Sequence, residues 1–89
     1  MDRPPRRGAV TAAQALGRTI VVLRASQGMK RGQLAVRADV SYPYISEIES
    51  GIKEPSLPVL RRLGEALGTT AAGLLTRAEL VESGGSLVV

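Results

Sequence analysis

At 89 residues and 9.4 kDa, the chain holds one small domain and little else. A hydrophobic content of 44% sustains a packed core and excludes wholesale disorder, and no run of about 20 apolar residues offers a membrane span. Cys and His are both absent, which removes disulfides, thiolate metal sites, a Cys nucleophile, the commonest general base and the commonest metal ligand. Hydrolase triads and zinc sites are thereby set aside, and no metal, cofactor or enzymatic activity is expected. The N-terminus is basic and Pro-rich with no apolar stretch behind it, so it does not read as a signal peptide. A soluble, cytoplasmic, basic domain is the expectation.

Twelve Lys and Arg stand against eight Asp and Glu, giving +4 and a pI near 10.4. A basic small domain points to an acidic partner, nucleic acid being the commonest. Arg3, Arg6 and Arg7 sit among Pro4, Pro5 and Gly8, in a segment with nothing to bury. Arg24, Lys30, Arg31 and Arg37 form a second basic group in a stretch without an acid, and most of the acids follow later.

Residues 1–10 read as a flexible basic arm. Thr11-x-x-Gln14 is a capping box, and Ala13, Leu16, Ile20 and Leu23 follow on one helical face. Gly17 and the β-branched run Thr19–Val22 weaken this first helix, by up to about 1 kcal/mol for the glycine, so it needs tertiary packing. Ser26-Gln27-Gly28 ends it. A second helix is predicted over about 31–37 with Leu34 and Ala35 inward, then a tight turn at Ala38-Asp39-Val40 with Asp39 left-handed. Ser41 caps a third helix, about 42–50. Pro43 lies in its first turn, where its missing N–H costs nothing, so the Ser41 hydroxyl should accept from the Tyr44 N–H. Ile45 and Ile48 face the core and Gly51 stops the helix. Ser56 caps a fourth helix, about 57–67, with Leu60, Leu63 and Leu67 on one stripe. Thr70 caps a fifth, about 71–82, carrying Leu74, Leu75, Ala78 and Val81. Residues 83–89 are left as an apolar tail. The fold class is all-α, with five helices in a domain spanning 11–82.

Arg31 to Gly51 carries the function: a short helix, a three-residue turn and a second helix make a helix-turn-helix. The ordered set Leu16-Gly17, Leu23-Arg24, Leu34-Ala35, Val40-Ser41, Ile45-Ser46-x-Ile48-Glu49-x-Gly51, Pro55-Ser56, Leu60-x-x-Leu63 and Ala66-Leu67-Gly68 resembles the Xre-type family of phage repressor and Cro-like DNA-binding domains. The resemblance runs from about Leu16 to Leu75. It implies a repressor-like domain on double-stranded DNA, with helix 2 across the backbone and helix 3 in the major groove.

By that geometry the base-reading positions are Tyr42, Pro43, Tyr44 and Glu47. A Tyr hydroxyl can bond a phosphate or a base edge, a ring or Pro43 can pack on a thymine methyl, and Glu47 can accept from a cytosine amine. The two tyrosines are the only aromatic residues, and both fall on the first turn of this helix. The alternative for Tyr44 is to cover the end of helix 2 or the core edge and leave only Tyr42 free. Arg31 stands in the family's usual Gln slot at the start of helix 2, where it would touch a phosphate. Lys30 replaces the usual Ser or Thr cap, at a cost of roughly 0.5–2 kcal/mol, and its charge opposes the helix dipole. A bound phosphate would offset both effects. Lys53, Ser41 and Ser46 complete the expected phosphate contacts. The resemblance assigns Arg24 and Glu49 to an internal ion pair, with a cost of about 3–5 kcal/mol for Arg24→Ala at full burial.

The arm either follows the DNA or is a plain solubilising segment. One helix-turn-helix reads few base pairs, so a homodimer is expected through helix 5 and the tail, using Leu74, Leu75, Leu80, Val81 and Leu87–Val89. The leading function is a sequence-specific transcriptional regulator. The alternative is an antitoxin or interaction subunit of the same fold, bound to a toxin or another regulator protein.

Overall fold

The computed structural model describes residues 10–84, arranged as α1 (Ala12–Ser26), α2 (Arg31–Arg37), α3 (Tyr42–Glu49), α4 (Leu57–Ala66) and α5 (Ala71–Glu82). No strand occurs among the described residues. Arg3, Arg6, Arg7 and the Leu87–Val89 end lie outside them. Val10, which the sequence reading left in the arm, is partly buried against the core, so ordered packing begins before the first cap.

Side-chain oxygens start four of the helices. In α1 the Gln14 N–H donates to Thr11 Oγ1 at 3.1 Å and the Thr11 N–H donates back to Gln14 Oε1 at 3.0 Å. The Tyr44 N–H donates to Ser41 Oγ at 3.2 Å, one residue beyond Pro43. Ser56 and Thr70 do the same for α4 and α5. Lys30 offers no acceptor, but the Gln33 side-chain Oε1 accepts from the Lys30 N–H at 2.7 Å, so half of a capping box survives at α2. Ser41→Ala removes the only side-chain acceptor at the α3 N-terminus and is expected to lower stability by about 1 kcal/mol in urea denaturation.

Ile20, Leu34, Ile45, Ile48, Leu63 and Leu74 are fully buried at the centre, each contributing about 1.5–3 kcal/mol. α1 is wrapped on two sides, by α5 and by α3, so its buried face is wider than one stripe and takes in Ala15, Gly17 and Thr19. Ala13, expected inward, is only partly buried. A Cβ at Gly17 would lie 2.5 Å from the carbonyl oxygens of both Ile48 and Glu49. The glycine that weakens α1 locally is what lets α1 cross the C-terminal end of α3.

Two polar ties lock the frame around α2 and α3. Arg62 Nε on α4 donates to the Ala38 carbonyl at 2.8 Å, and Gln27 Nε2 donates to the Leu67 carbonyl at 2.9 Å. Asp39 adopts φ 55°, which completes the turn between α2 and α3.

Candidate nucleic-acid interface

α3 is held from below and open from above. Ile45 and Ile48 anchor it in the core at 0% and 1% exposure, while Tyr42 is 52% exposed on the opposite side. Pro43 is exposed next to Tyr42, Ser50 is exposed at the far end of the helix, and Ser46 and Glu47 are half-buried. Tyr44 is half-buried and packs against the core.

The charged groups around this face are more tightly engaged than their spacing suggested. Arg24 Nε lies 2.8 Å from Glu49 Oε2, Arg24 Nη2 lies 3.1 Å from Glu49 Oε1, and Arg24 Nη1 donates to the Met29 carbonyl at 3.0 Å. Arg31, expected at a phosphate, is tied to α3 while its side chain stays 38% exposed: its Nε donates to Glu49 Oε1 at 2.9 Å and its Nη1 to Ser46 Oγ at 3.3 Å. One buried carboxylate, its side chain 2% exposed, therefore joins two guanidiniums from α1 and α2 to the end of α3. Pairing with Glu49 first, and with the Tyr42 side chain second, raises the Arg31 pKa above its ordinary value.

Lys53 folds back over α3. Its Nζ is 3.8 Å from Glu47 Oε2 and 5.7 Å from the centroid of the Tyr44 ring. At that length and exposure the Lys53–Glu47 pair contributes about 0–1 kcal/mol and is easily exchanged for another partner. Lys30 is exposed at the start of α2.

A groove of about 650 Å³ runs along α2 to the start of α3, lined by Lys30, Arg31, Gln33, Val36, Arg37 and Tyr42. Arg37 and Val36 were not singled out as site residues in the sequence. Their signal was present but weak: Arg37 belongs to the acid-free basic stretch, and Val36 is an apolar side chain left 81% exposed on a helix whose core positions are already filled by Leu34 and Ala35.

A short helix, a tight turn and a second helix with an anchored inner side and an open polar and aromatic outer side define a DNA-binding domain of the helix-turn-helix class. The helix-turn-helix family profile matches residues 20–74, and the chain belongs to that family. Over 50 residues, 56% of this chain, it is 44% identical to an uncharacterized HTH-type transcriptional regulator of Mycobacterium tuberculosis, and that stretch spans 36% of the relative. Over 57 residues it is 37% identical to the HTH-type transcriptional regulator DdrOP3 of Deinococcus deserti, covering 64% of this chain and 44% of the relative. The chain thus spans less than half the length of these curated relatives. Among solved structures it is similar to the clp gene regulator ClgR of Corynebacterium glutamicum, with a TM-score of 0.78, 34% identity, and 82% and 78% of the two chains covered. These relatives are regulators by name. No described helix is long and apolar enough to cross a membrane.

Proposed function

We propose that the chain binds double-stranded DNA sequence-specifically as a transcriptional regulator, with α3 in the major groove. The observation that carries this reading is the two-sidedness of α3: Ile45 and Ile48 are locked inward while Tyr42 and Pro43 stand open next to the basic edge formed by Lys30 and Arg37. Tyr42 reaches a base edge or phosphate, Pro43 and Val36 present apolar surface to thymine methyls or sugars, and Glu47 accepts from a cytosine amine once Lys53 moves to a phosphate. Lys30, Lys53, Ser41 and Ser46 position the backbone. Tyr44 supports this face from the core edge.

The reading includes a homodimer, which doubles the number of base pairs read. Among the described residues, α5 offers a narrower surface for it than expected, and the Leu87–Val89 end lies outside them. Leu74 is fully buried and Val81 packs against the protein's own core, leaving Leu75 and Leu80 at 43% and 51% exposure. Five residues apart on a helix, these two point about 140° from each other, so they form no continuous stripe on α5. Sedimentation at high protein concentration tests this, and a monomer throughout contradicts it.

Selection of bound sites from a random duplex pool, followed by salt titration, tests the DNA reading. An enriched site whose affinity falls steeply with salt is expected. Lys30→Ala should weaken all sequences alike, whereas Glu47→Gln should change which sequence is preferred.

A further inference from the structure

The loop that follows α3 is tied down along its backbone. The Ile52 and Lys53 N–H groups both donate to the Glu47 carbonyl, at 2.9 and 3.2 Å, and the Gly51 N–H donates to the Ile48 carbonyl at 3.1 Å. Gly51, at φ 79°, lies against the start of α1, where an added Cβ would come within 2.7 Å of Gln14 Cγ. The Lys53 backbone is therefore fixed beside Glu47, and only its side chain is left to move. That side chain is exposed and carries a compact ammonium on a flexible four-carbon stem. It meets Glu47 Oε2 at 3.8 Å, a loose contact, and Glu47 has no other ion-pair partner among the described residues.

A carboxylate and an ammonium so placed answer to the base that faces them. Cytosine and adenine present an amine to the major groove, whereas guanine and thymine present only acceptors as polar groups. An amine occupies the carboxylate and releases the ammonium to a phosphate. An acceptor repels the carboxylate, which then keeps its ammonium. We infer that Lys53 makes a base-gated phosphate contact: it neutralises Glu47 in the free protein and over the wrong base, and moves to a DNA phosphate only where Glu47 meets an amine. The inference rests on the DNA-binding reading above, and adds that one base pair controls how many phosphates each bound copy neutralises. Phosphate contacts ordinarily carry no sequence information, and this one does. Lysine suits the exchange, because an arginine fork can hold a carboxylate through two bonds, while a single ammonium at 3.8 Å leaves readily.

The test compares salt dependence on two duplexes: the selected site, and the same site with the base pair read by Glu47 changed for every bound copy. That pair is the one at which Glu47→Ala loses its preference. Each phosphate neutralised steepens the plot of log affinity against log salt by about 0.9. The parent is expected to be steeper on the selected site by about 0.9 per bound copy, so its discrimination at that pair falls about eightfold per copy for each tenfold rise in salt. Lys53→Gln should flatten the selected-site slope by that amount and leave the other slope unchanged. Glu47→Ala frees the ammonium on any sequence, so it should steepen the slope on the changed site and leave the selected site unchanged. Parallel slopes in the parent overturn the inference and leave the DNA reading intact. So does a Lys53→Gln slope lowered equally on both duplexes, which makes Lys53 an ordinary phosphate contact. A Glu47→Ala protein that keeps every base preference overturns it too, since Glu47 then reads no base. A parent protein that enriches no site overturns both readings.

Discussion

Glu49→Ala is expected to destabilise the domain by about 3–5 kcal/mol, the largest effect of any single polar substitution. The carboxylate is almost wholly buried and takes bonds from Arg24 at 2.8 Å and Arg31 at 2.9 Å. Its removal leaves two guanidiniums facing each other, with Arg24 only 15% exposed and retaining just its bond to the Met29 carbonyl. Arg24→Ala is the milder change, because Glu49 remains paired with Arg31. A cost of about 2–3 kcal/mol is expected for it, less than a lone buried pair would imply. Urea denaturation with unchanged slope separates the two variants by their midpoints. A Glu49→Ala midpoint no lower than that of Arg24→Ala would contradict the three-membered network.

Gly17→Ala should destabilise by about 2–3 kcal/mol, against the direction that helix propensity dictates. In an isolated helix the change is favourable by about 1 kcal/mol. Here the new methyl meets the carbonyl oxygens of Ile48 and Glu49 at 2.5 Å, and both are backbone atoms that cannot rotate away. α1 must then lift from α3, which loosens the Arg24–Glu49 contact and shifts the recognition helix. Thermal denaturation with the DNA-free protein checks the sign: a stabilised Gly17→Ala protein would mean that α1 and α3 do not approach this closely.

The two variants mark where local sequence signals stop being sufficient. Helix starts are short-range chemistry, so Thr11, Ser41, Ser56 and Thr70 were readable one by one, as was Asp39 in its turn. The core stripe of α4 was readable because one face is strongly apolar. α5 was not, because apolar residues occupy more than one face, and only the packing decides that Leu74 goes in and Leu75 stays out. Gly17 reads locally as a weakness, and its role exists only where α1 crosses α3. Lys30 reads as a lost cap, yet Gln33 supplies half of the missing bonding from within α2.

The site shows the same division. That Tyr42 and Pro43 lie on the first turn of α3 follows from the spacing of Ile45 and Ile48. The pairing of Arg24 with Glu49, 25 residues away, came with the family resemblance, since nothing local connects them. The pairing of Arg31 with Glu49, 18 residues away, was hidden altogether. Arg31 occupies a slot where the resemblance implied an outward contact. Its bonds to Glu49 and Ser46 depend on the angle at which α2 meets α3, and no spacing rule contains that angle.

Backbone amide NMR of the full chain titrated with a duplex carrying the selected site tests the central claim most directly. Perturbations concentrated in residues 30–37 and 41–53, with α4 and the centre of α1 left unmoved, are the result expected of a recognition helix entering the major groove. Saturable binding that moves α4 or α5 while Tyr42, Pro43 and Glu47 keep their free-state shifts would contradict it.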